Sequence, residues 1–365
     1  MRTFAIVTAL MAAGCGRNEL SGNVDFPEVD DHSVDPPLAM GQWMSLDRSP
    51  DGTQLTMSYY DGSRTALGFA VGTPLGDGTV RWAHERVDAY PESNGLDTGA
   101  RGKYTSQKTA PDGTVWISYW DEDWGKLRVA HRLAPATWEA VDVDTGGGLW
   151  TSLAIGDNGQ PFIVHCTDDG SVRLSRYDGS TWSTSTIFTS SATAYQEASV
   201  VTTAALVSGG HEYVAFADRA SGALHLMTDG VDDLVVGSGG GEWPSIAVDG
   251  TTVYVAFYDA TREDLVVAEK GQGDETWKRT SVDEGKLRGA DTAIYVDGGE
   301  PVVVYFDGFE NDQRIARRAG NAWSTDRLAG DGLAAGFHNE VVFVADHWWA
   351  GSFDYTNQTA TITQL

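Results

Sequence analysis

The sequence predicts an all-β protein, and a repeated pattern of short apolar runs is the first reason. The clearest copy spans residues 148–188, where four such runs are separated by turns rich in Asp, Asn and Gly. Asn and Gly tolerate the positive φ that tight hairpin turns need. In the third run Val172 and Leu174 alternate with polar residues, which is the period of a strand. Each copy is therefore predicted to be a four-stranded antiparallel meander.

The spacing of the copies is the second reason, and it specifies the architecture. A small residue opens the first strand of each copy, and we align the copies on Ser45, Ser106, Ser152, Ser199, Ser245 and Thr292, with Glu340 in the seventh. Five of the six intervals are 46 to 48 residues long, and the first is 61. Four strands in such a period are typical of a β-propeller blade. Because radial repetition lets one ring absorb a long chain, the sequence predicts a single seven-bladed β-propeller domain over residues 26–365.

The burial pattern of the strands agrees with that architecture. Second strands such as residues 115–120 and 253–258 are almost continuously apolar, which indicates that both of their faces are covered. Third strands such as residues 126–131 alternate between apolar and polar side chains. Stacked blades produce this difference, because their inner strands are enclosed by neighbouring blades and their outer strands meet water.

Two more residue types recur at fixed places in the copies. An acid ends each second strand, at Asp61, Asp121, Asp168, Asp218, Asp259, Asp307 and Asp354. A tryptophan opens five of the outer strands, at Trp82, Trp138, Trp182, Trp277 and Trp323.

The seventh copy is short, because the chain ends after its third strand. Residues 23–34 precede the first copy and contain an acidic run like those that finish other copies. Pro27 is acceptable in an outermost strand, which has one edge without a partner. We therefore expect this N-terminal segment to supply the missing strand and close the ring.

The first residues predict export. Residues 1–15 hold Arg2, a short apolar run and small residues before Cys15, which is the pattern of a signal peptide. Residues 12–15 resemble the bacterial lipobox, so Cys15 is the expected lipidation site; the alternative is an ordinary signal peptide. Residues 16–25 are polar and predict a flexible tether. The expected location is the periplasm or the cell surface, with a lipid as the sole membrane contact, since no apolar run reaches the roughly 20 residues of a spanning helix.

The composition limits the classes of molecule and metal that the protein is expected to bind. The chain carries 52 acidic and 25 basic residues, a net charge of −27, which argues against nucleic acid. Cys166 is the only other cysteine, so a disulfide framework is excluded and a buried thiol is expected. The eight histidines lack metal-site spacing, and no cofactor is expected. Calcium is the one metal left open, at residues 121–123 or at Asp142 and Asp144. We expect a monomer.

One face of the predicted ring collects the candidate binding residues. The start of a first strand and the end of the antiparallel second strand lie on the same side, which brings aromatic rings next to carboxylates. The candidate ligand-binding residues are Trp43, Tyr104, Trp120, Asp121, Glu122, Asp123, Trp124, Trp150, Trp243 and Asp259. Aromatic rings beside acceptors suit sugars, and they also anchor protein partners. The alternative is structural: the aromatic series, to which Phe337 also belongs, wedges between blades, and the Asp series caps turns.

The densest candidate cluster lies between the first two copies. The first copy alone is lengthened, by insertions at residues 72–78 and 90–102. Binding loops are where a repeat protein departs from its own pattern. The second insertion is expected beside residues 120–124, where Trp124 has no counterpart in the other copies.

The turn around residues 175–182 resembles the Asp box of sialidase-type propellers, which reads Ser-x-Asp-x-Gly-x-Thr-Trp. Ser175, Gly179, Thr181 and Trp182 match it, and Asp178 stands one position late. The resemblance implies the propeller architecture, while the arginine cluster and the Tyr-Glu pair of a sialidase site are not found. The favoured function is a binding module of the cell envelope, for a glycan or an envelope protein. The alternative is a glycoside hydrolase or related enzyme acting on extracellular polysaccharide, with Glu122-Asp123 and Glu263-Asp264 as candidate acid pairs.

Overall fold

The computed structural model of the protein describes residues 40–89, 100–190, 202–218 and 220–365. The regular structure of these residues consists of 27 β-strands, so the all-β prediction is confirmed. Within the same residues there is no helix long and apolar enough to cross a membrane. The predicted signal peptide with Cys15, the tether at residues 16–25 and the closing segment at residues 23–34 lie outside the described residues, as does most of the insertion at 90–102.

The strands follow the chain as seven consecutive units. Units 1 and 2 contain β1 (Met40–Arg48), β2 (Leu55–Asp61), β3 (Ala66–Pro74), β4 (Val80–Asp88), β5 (Arg101–Thr109), β6 (Val115–Asp121), β7 (Lys126–Ala134) and β8 (Thr137–Thr145). Units 3 and 4 contain β9 (Gly147–Ile155), β10 (Pro161–Thr167), β11 (Val172–Tyr177), β12 (Trp182–Phe188), β13 (Thr203–Ser208), β14 (His211–Ala217), β15 (Leu224–Thr228) and β16 (Val231–Val236). Units 5 to 7 contain β17 (Glu242–Asp249), β18 (Thr252–Asp259), β19 (Asp264–Lys270), β20 (Lys278–Asp283), β21 (Arg288–Asp297), β22 (Glu300–Asp307), β23 (Asp312–Ala319), β24 (Ala322–Ala329), β25 (Phe337–Val344), β26 (His347–Asp354) and β27 (Thr359–Gln364).

The units form sheets of two kinds. Units 2 to 6 are five four-stranded antiparallel sheets in sequence order. The sixth sheet has seven strands, in the order β25-β26-β27-β1-β2-β3-β4, and so joins the C-terminal strands to the N-terminal ones. Its one parallel pairing is between β1 and β27, through Met40 and Thr359. The architecture is therefore propeller-like, with three strands of unit 7 in the described part of the chain.

The core lies between neighbouring units, as the burial pattern predicted. Every residue of β2 and β10 is buried. Leu67 and Phe69 of unit 1 pack with Ile117 and Tyr119 of unit 2 in one apolar cluster. Cys166 is buried, as expected.

Glycines at the start of the inner strands let adjacent units approach closely. Gly148 has a φ of 110°, and a Cβ on it would lie 2.9 Å from Leu127 Cα of the preceding unit. Gly41 has a φ of 109° and would meet the Cβ of Ala360 at 2.6 Å. The same close approach to the preceding unit recurs at Gly102, Gly241, Gly289 and Gly336. At the five of these glycines with a positive φ, no other residue type fits both the backbone conformation and the space, and at Gly241 the contact with Leu224 alone excludes a side chain.

Hydrogen bonds between units explain the recurring serine. The Oγ atoms of Ser45, Ser106 and Ser152 accept backbone N–H groups of the next inner strand, at 3.1, 2.9 and 2.8 Å. In units 4 and 6 the matching positions are Ala204 and Ala293, which pair with the second strand as the serines do. The alignment on Ser199 and Thr292 was therefore wrong, because the first strand of unit 4 begins only at residue 203 and unit 6 is shifted by one residue.

The acid at or just after the end of the second strand caps a turn in five units, as the structural alternative predicted for the Asp series. Asp61 Oδ1 accepts the N–H of Ser63 at 2.9 Å, and the same bond recurs in units 4 to 7 at Asp218, Asp259, Asp307 and Asp354. In unit 3 the matching position is Thr167, where Asp168 was expected. There Asp169 caps the turn by accepting the N–H of Ser171 at 2.9 Å.

The turn that resembles an Asp box is also structural. Asp178 Oδ1 accepts the N–H groups of Ser180 and Thr181, each at 2.8 Å. These hydrogen bonds to the ionised form hold the pKa of Asp178 far below its usual range. The turn is exposed and joins β11 to β12, at the outer edge of unit 3.

Candidate functional site

A bulge in the inner strand shapes the site. In unit 1, Trp43 and Met44 together face Tyr59, between the pairs Gln42–Tyr60 and Ser45–Ser58. A bulge of this kind bends the strand and re-aims a side chain. The first bulge residue has a positive φ in six units: Trp43 47°, Tyr104 55°, Trp150 50°, Trp243 50°, Asp291 47° and His338 56°. Such a backbone is strained for any residue except glycine, and strain of this kind is commonly retained at functional positions.

These six residues surround a central cavity. Thr202 completes the set, because the pairing of Thr203 with Phe216 places it at the matching position in unit 4. We call the seven residues the axial ring; in unit order they are Trp43, Tyr104, Trp150, Thr202, Trp243, Asp291 and His338. All of them line one cavity of about 540 Å³, whose wall takes residues from the inner strand of every unit. A cavity of this size can hold a small ligand.

The aromatic side chains of the axial ring touch one another. Ring centroids are 5.5 Å apart for His338 and Trp43, 5.4 Å for Trp43 and Tyr104, and 4.4 Å for Tyr104 and Trp150. Trp43, Tyr104 and Trp150 remain partly exposed, whereas Trp243 is buried. Four consecutive members of the ring thus form one continuous aromatic surface at the wall of the cavity.

Hydrogen bonds between units hold the backbone of the axial ring. The hydroxyls of Thr151, Thr203 and Thr292 donate to the carbonyls of Tyr104, Trp150 and Trp243, at 2.8, 2.7 and 2.7 Å. Asn339 Nδ2 donates to the carbonyl of Asp291 at 2.8 Å in the same way. A site supported by such bonds is organised before any ligand arrives.

Carboxyl groups give the cavity its charge. Asp291 and Glu340 line it, and burial raises the pKa of Asp291 to about 6 and that of Glu340 to about 7. Asp291 Oδ2 accepts the backbone N–H of His338 at 3.3 Å. Burial also lowers the pKa of His338 to about 3, so its imidazole is neutral at physiological pH. Glu242, which directly precedes Trp243, has its pKa raised to about 7 by burial.

Several buried polar atoms around the ring have no partner in the part of the chain that the structure describes. They are Trp243 Nε1, His338 Nε2, Thr202 Oγ1 and Glu242 Oε2. A buried polar group without a hydrogen bond costs about 1–3 kcal/mol. Three of these atoms belong to residues that line the cavity, Trp243, His338 and Thr202, and they indicate a place where a polar ligand would be stabilised.

The structure brings some of the sequence-predicted residues together and separates others. Trp43, Tyr104, Trp150 and Trp243 belong to the axial ring, and Trp120 stands behind it, 5.7 Å from Tyr104 between ring centroids. The remaining candidates lie in turns outside the ring: Asp121, Glu122, Asp123, Trp124 and Asp259.

Three of these acids, which end second strands or follow them, are engaged by neighbouring groups. Asp121 is fully buried and accepts Arg101 Nε at 3.0 Å. Glu122 forms an ion pair with Lys103 Nζ at 2.5 Å. Asp259 caps its turn through the N–H of Thr261. In the second candidate acid pair, Asp264 is buried and accepts the N–H of Gly285 at 3.2 Å.

Asp123 and Trp124 remain open to solvent. The Trp124 ring is 66% exposed, with Lys126 Nζ at 5.8 Å from its centroid. It contributes nothing to the core of the described chain, and residues 90–99 of the insertion predicted beside it lie outside the described ranges.

Sequence reasoning missed Thr202, Asp291 and His338. It placed Phe337 in the aromatic series, but that residue is buried core, with its ring centroid 4.2 Å from that of Phe306. The signal for Asp291 and His338 was a glycine two positions before six of the seven ring residues, as in Gly41-Gln42-Trp43 and Gly336-Phe337-His338, whereas Thr202 has a valine at that position. The same spacing from Gly289 selects Asp291, which an alignment on aromatic residues cannot find.

Metal ligands do not cluster at this site. In the ranges that the structure describes, no group of three or more His, Cys, Asp and Glu side chains could hold a metal ion. Of the acids considered for calcium, Asp121 pairs with Arg101, and Asp142 pairs with Lys126 and Arg128. Calcium at residues 121–123 or at Asp142 and Asp144 stays a prediction.

The raised pKa of Glu340 predicts a pH-dependent stability. A carboxyl whose pKa in the folded state exceeds that of the unfolded chain stabilises the fold when protonated, and this contribution is lost as pH rises through the folded value. With a folded pKa of about 7, Glu340 loses it between about pH 5 and 8. We therefore expect Glu340→Gln to become more stable relative to the parent over that range, by about 1–3 kcal/mol. Melting curves of both proteins at each pH measure the difference, and a constant difference contradicts the prediction.

Comparison with known proteins supports the fold. No protein-family model and no curated protein matches the sequence. Among solved structures, a mutant of AofleA from Arthrobotrys oligospora is 11% identical, with 82% of this chain and 90% of that chain covered and a TM-score of 0.51. SapL1 lectin in complex with alpha methyl fucoside is 13% identical, with coverages of 81% and 98% and a TM-score of 0.50. NanB, a sialidase from Streptococcus pneumoniae, is 9% identical, with coverages of 94% and 70% and a TM-score of 0.50.

These similarities define a class of fold. The protein has a β-propeller fold that resembles those of a lectin and a sialidase. At such low identities the similarity does not extend to activity, because one fold hosts many functions.

Proposed function

We propose that the protein is a carbohydrate-binding module and that the axial ring is its binding site. The observation that carries the proposal is the continuous surface of His338, Trp43, Tyr104 and Trp150 at the wall of the central cavity. Flat aromatic rings bury the apolar faces of a sugar, while polar groups at their edges receive its hydroxyls. The unpartnered atoms of Trp243, Thr202 and His338 offer such groups.

The fold is compatible with this function. SapL1, which shares it, is a lectin bound to a fucoside in its structure. An envelope protein is the second candidate ligand, because Trp and Tyr also anchor protein partners. The exposed Trp124 and the adjacent Asp123 are the candidate binding site for such a protein, since a protein partner can reach an exposed loop more easily than a central cavity.

A paired set of variants tests the site. A glycan array of the domain should identify a sugar ligand, and Trp43→Ala should weaken its binding by roughly 1–3 kcal/mol, the range of an interface anchor. Trp124→Ala is the matched control, because it removes an indole outside the axial ring. If Trp124→Ala and Asp123→Ala weaken binding while Trp43→Ala does not, the binding site is the loop of unit 2.

An enzyme acting on extracellular polysaccharide is the alternative, and one observation favours it. Burial raises the pKa of Asp291 to about 6 and that of Glu242 to about 7, and a carboxyl whose pKa lies close to neutral pH can act as a general acid. Incubation with polysaccharides and assay for new reducing ends tests this. Release of reducing ends that Asp291→Asn abolishes would replace binding with catalysis as the function.

We also propose that the seven units are seven blades and that residues 23–34 close the ring. Unit 7 has three strands in the described chain, and its outermost strand, β27, has one pairing on its free side, at Thr359. Met40 lies beside the start of β27, so a preceding segment that runs antiparallel along β27 would lead directly into β1. In unit 1 the fourth strand takes the same course, since Asp88 at its end pairs with Leu67 near the start of the third strand.

The proposed location is the cell envelope, with Cys15 as the lipidated first residue of the mature protein. The support is the sequence of residues 1–15, and residues 16–25 would then be the tether between the lipid and the domain. Mass spectrometry of the mature N-terminus should detect a diacylglyceryl group on Cys15. An unmodified N-terminus, or cleavage at another residue, contradicts the lipid anchor.

A further inference from the structure

We propose that the axial ring selects sugars that carry a protonated amine, so that its ligands are amino sugars. This inference rests on the proposed function, and it adds the charge of the ligand to it. Its support is the combination of aromatic faces with an unpaired carboxylate at the same cavity.

The carboxylate of Asp291 is the acid that a ligand would meet. Asp291 lies between Trp243 and His338 in the order of the axial ring, and it lines the cavity. Its Oδ2 atom accepts the N–H of His338, and its carbonyl is held by Asn339. Among the described residues it has no ion pair, and its Oδ1 atom makes no hydrogen bond there. One oxygen thus fixes the side chain, and the other is available to a ligand.

The basic groups near the cavity leave that charge uncompensated. Lys103 Nζ stands 5.6 Å from the Trp43 ring centroid, but Glu122 pairs with it at 2.5 Å. Lys108 lines the cavity beside Glu340 and attracts its charge, without an ion pair to it in the described chain. His338 is neutral, because burial lowers its pKa to about 3. No basic group of the described chain therefore forms an ion pair with the Asp291 carboxylate.

Aromatic rings add to the attraction for a cation. An ammonium group over the face of Trp or Tyr is attracted by the ring, and this attraction grows when the pair is shielded from water. The axial ring offers three tryptophans and one tyrosine at the wall of one cavity. A protonated amino sugar can stack on these rings and pair with Asp291. A sialic or uronic acid would instead place its carboxylate against Asp291 and Glu340, in a chain of net charge −27.

Matched disaccharides test the inference. The ligands are β-1,4-linked glucosamine disaccharide, its N,N′-diacetyl form, and a disaccharide that contains a uronic acid, each titrated calorimetrically at pH 7 and moderate salt. We expect the free amine to bind at least about tenfold more tightly than the acetylated form, and the uronate to bind most weakly. Dilysine serves as a cation without a sugar ring.

Two variants locate the effect. Asp291→Asn keeps an acceptor for the His338 N–H and removes the charge, so it should bring the amine-to-acetyl affinity ratio close to 1. Asp326→Asn removes a charge from the exposed outer strand β24 and should leave the ratio at its parental value. Melting curves test whether both variants are folded. If Asp291→Asn does not fold, Glu340→Gln takes its place, and we expect it to lower the amine-to-acetyl affinity ratio by a smaller amount.

The outcomes separate this inference from the proposed function. A preference for the amine that Asp291→Asn abolishes supports it. Equal affinity for the amine and the acetylated form, or tighter binding of the uronate, overturns it and leaves carbohydrate binding intact. Dilysine binding as tightly as the amino disaccharide shows a cation site without selectivity for sugars, which also overturns it. If no disaccharide binds to the folded protein and the glycan array also detects no ligand, the proposed function fails together with the inference.

Discussion

Replacing Gly148 with alanine should lower the free energy of unfolding by about 2–5 kcal/mol. The new Cβ would lie 2.9 Å from Leu127 Cα and 3.0 Å from Trp120 Cδ1, and the φ of 110° is unfavourable for alanine. Strain at such a φ costs about 1–3 kcal/mol, and overpacking a filled interior costs a similar amount. Since Leu127 belongs to the preceding unit, relief of the clash requires units 2 and 3 to move apart. Denaturant unfolding of both proteins measures the loss.

Gly179→Ala is the control for this prediction. Gly179 lies in the same unit with a φ of 98°, but a Cβ on it meets nothing within 4 Å. Its replacement tests the backbone conformation alone, and we expect a loss of about 1 kcal/mol. If the two variants lose the same stability, the inner-strand glycine is required only for its φ, and close packing between the units is not what it provides.

Removing the N-terminal segment should destabilise the fold by roughly 3–5 kcal/mol. A chain that begins at residue 36 keeps β1 but lacks residues 23–34, so β27 would lose its proposed partner. Each backbone hydrogen bond contributes roughly 0.5–1.5 kcal/mol, and a strand as short as β27 can form several. The free edge should also promote association between molecules. Thermal melting and light scattering measure the two effects.

The control is a chain that begins at residue 22, which lacks the predicted signal peptide and keeps the closing segment. It should match the full mature chain in melting temperature and remain monomeric. Equal melting temperatures for the chains beginning at residues 22 and 36 mean that residues 23–34 do not close the ring.

Much of the fold was predictable because it depends on features that repeat along the sequence. A period near 47 residues and continuous apolar second strands reflect the stacking of units, which every copy must satisfy. The recurring serine was recognisable for a similar reason, since Ser45, Ser106 and Ser152 each accept an N–H of the next unit. Hydrogen bonds of this kind recur in units 1 to 3, whereas units 4 and 6 have Ala204 and Ala293 at the matching positions.

The site was predictable only in part, because its position depends on a bulge. Residue preferences do not predict a tryptophan at a φ of 47°, as in Trp43. The aromatic pattern therefore identified Trp43 and Trp150 but not Asp291, which occupies the same backbone position with a different side chain. The prediction that Asp121 binds a ligand rested on its repeated position at a strand end, which was interpreted as accessible. In the structure Asp121 is buried against Arg101.

The contact between His338 and Trp43 joins the last unit to the first, at a ring distance of 5.5 Å. In the described chain β1 and β27 pair across this junction through Met40 and Thr359, whereas units 2 to 6 are separate sheets. A ligand stacked on both rings would therefore bridge unit 7 and unit 1 at the place where the C-terminal and N-terminal strands meet. Occupancy of the cavity would then slow the opening of that junction, so that exchange of the Met40 and Thr359 amide protons becomes a gauge of ligand binding.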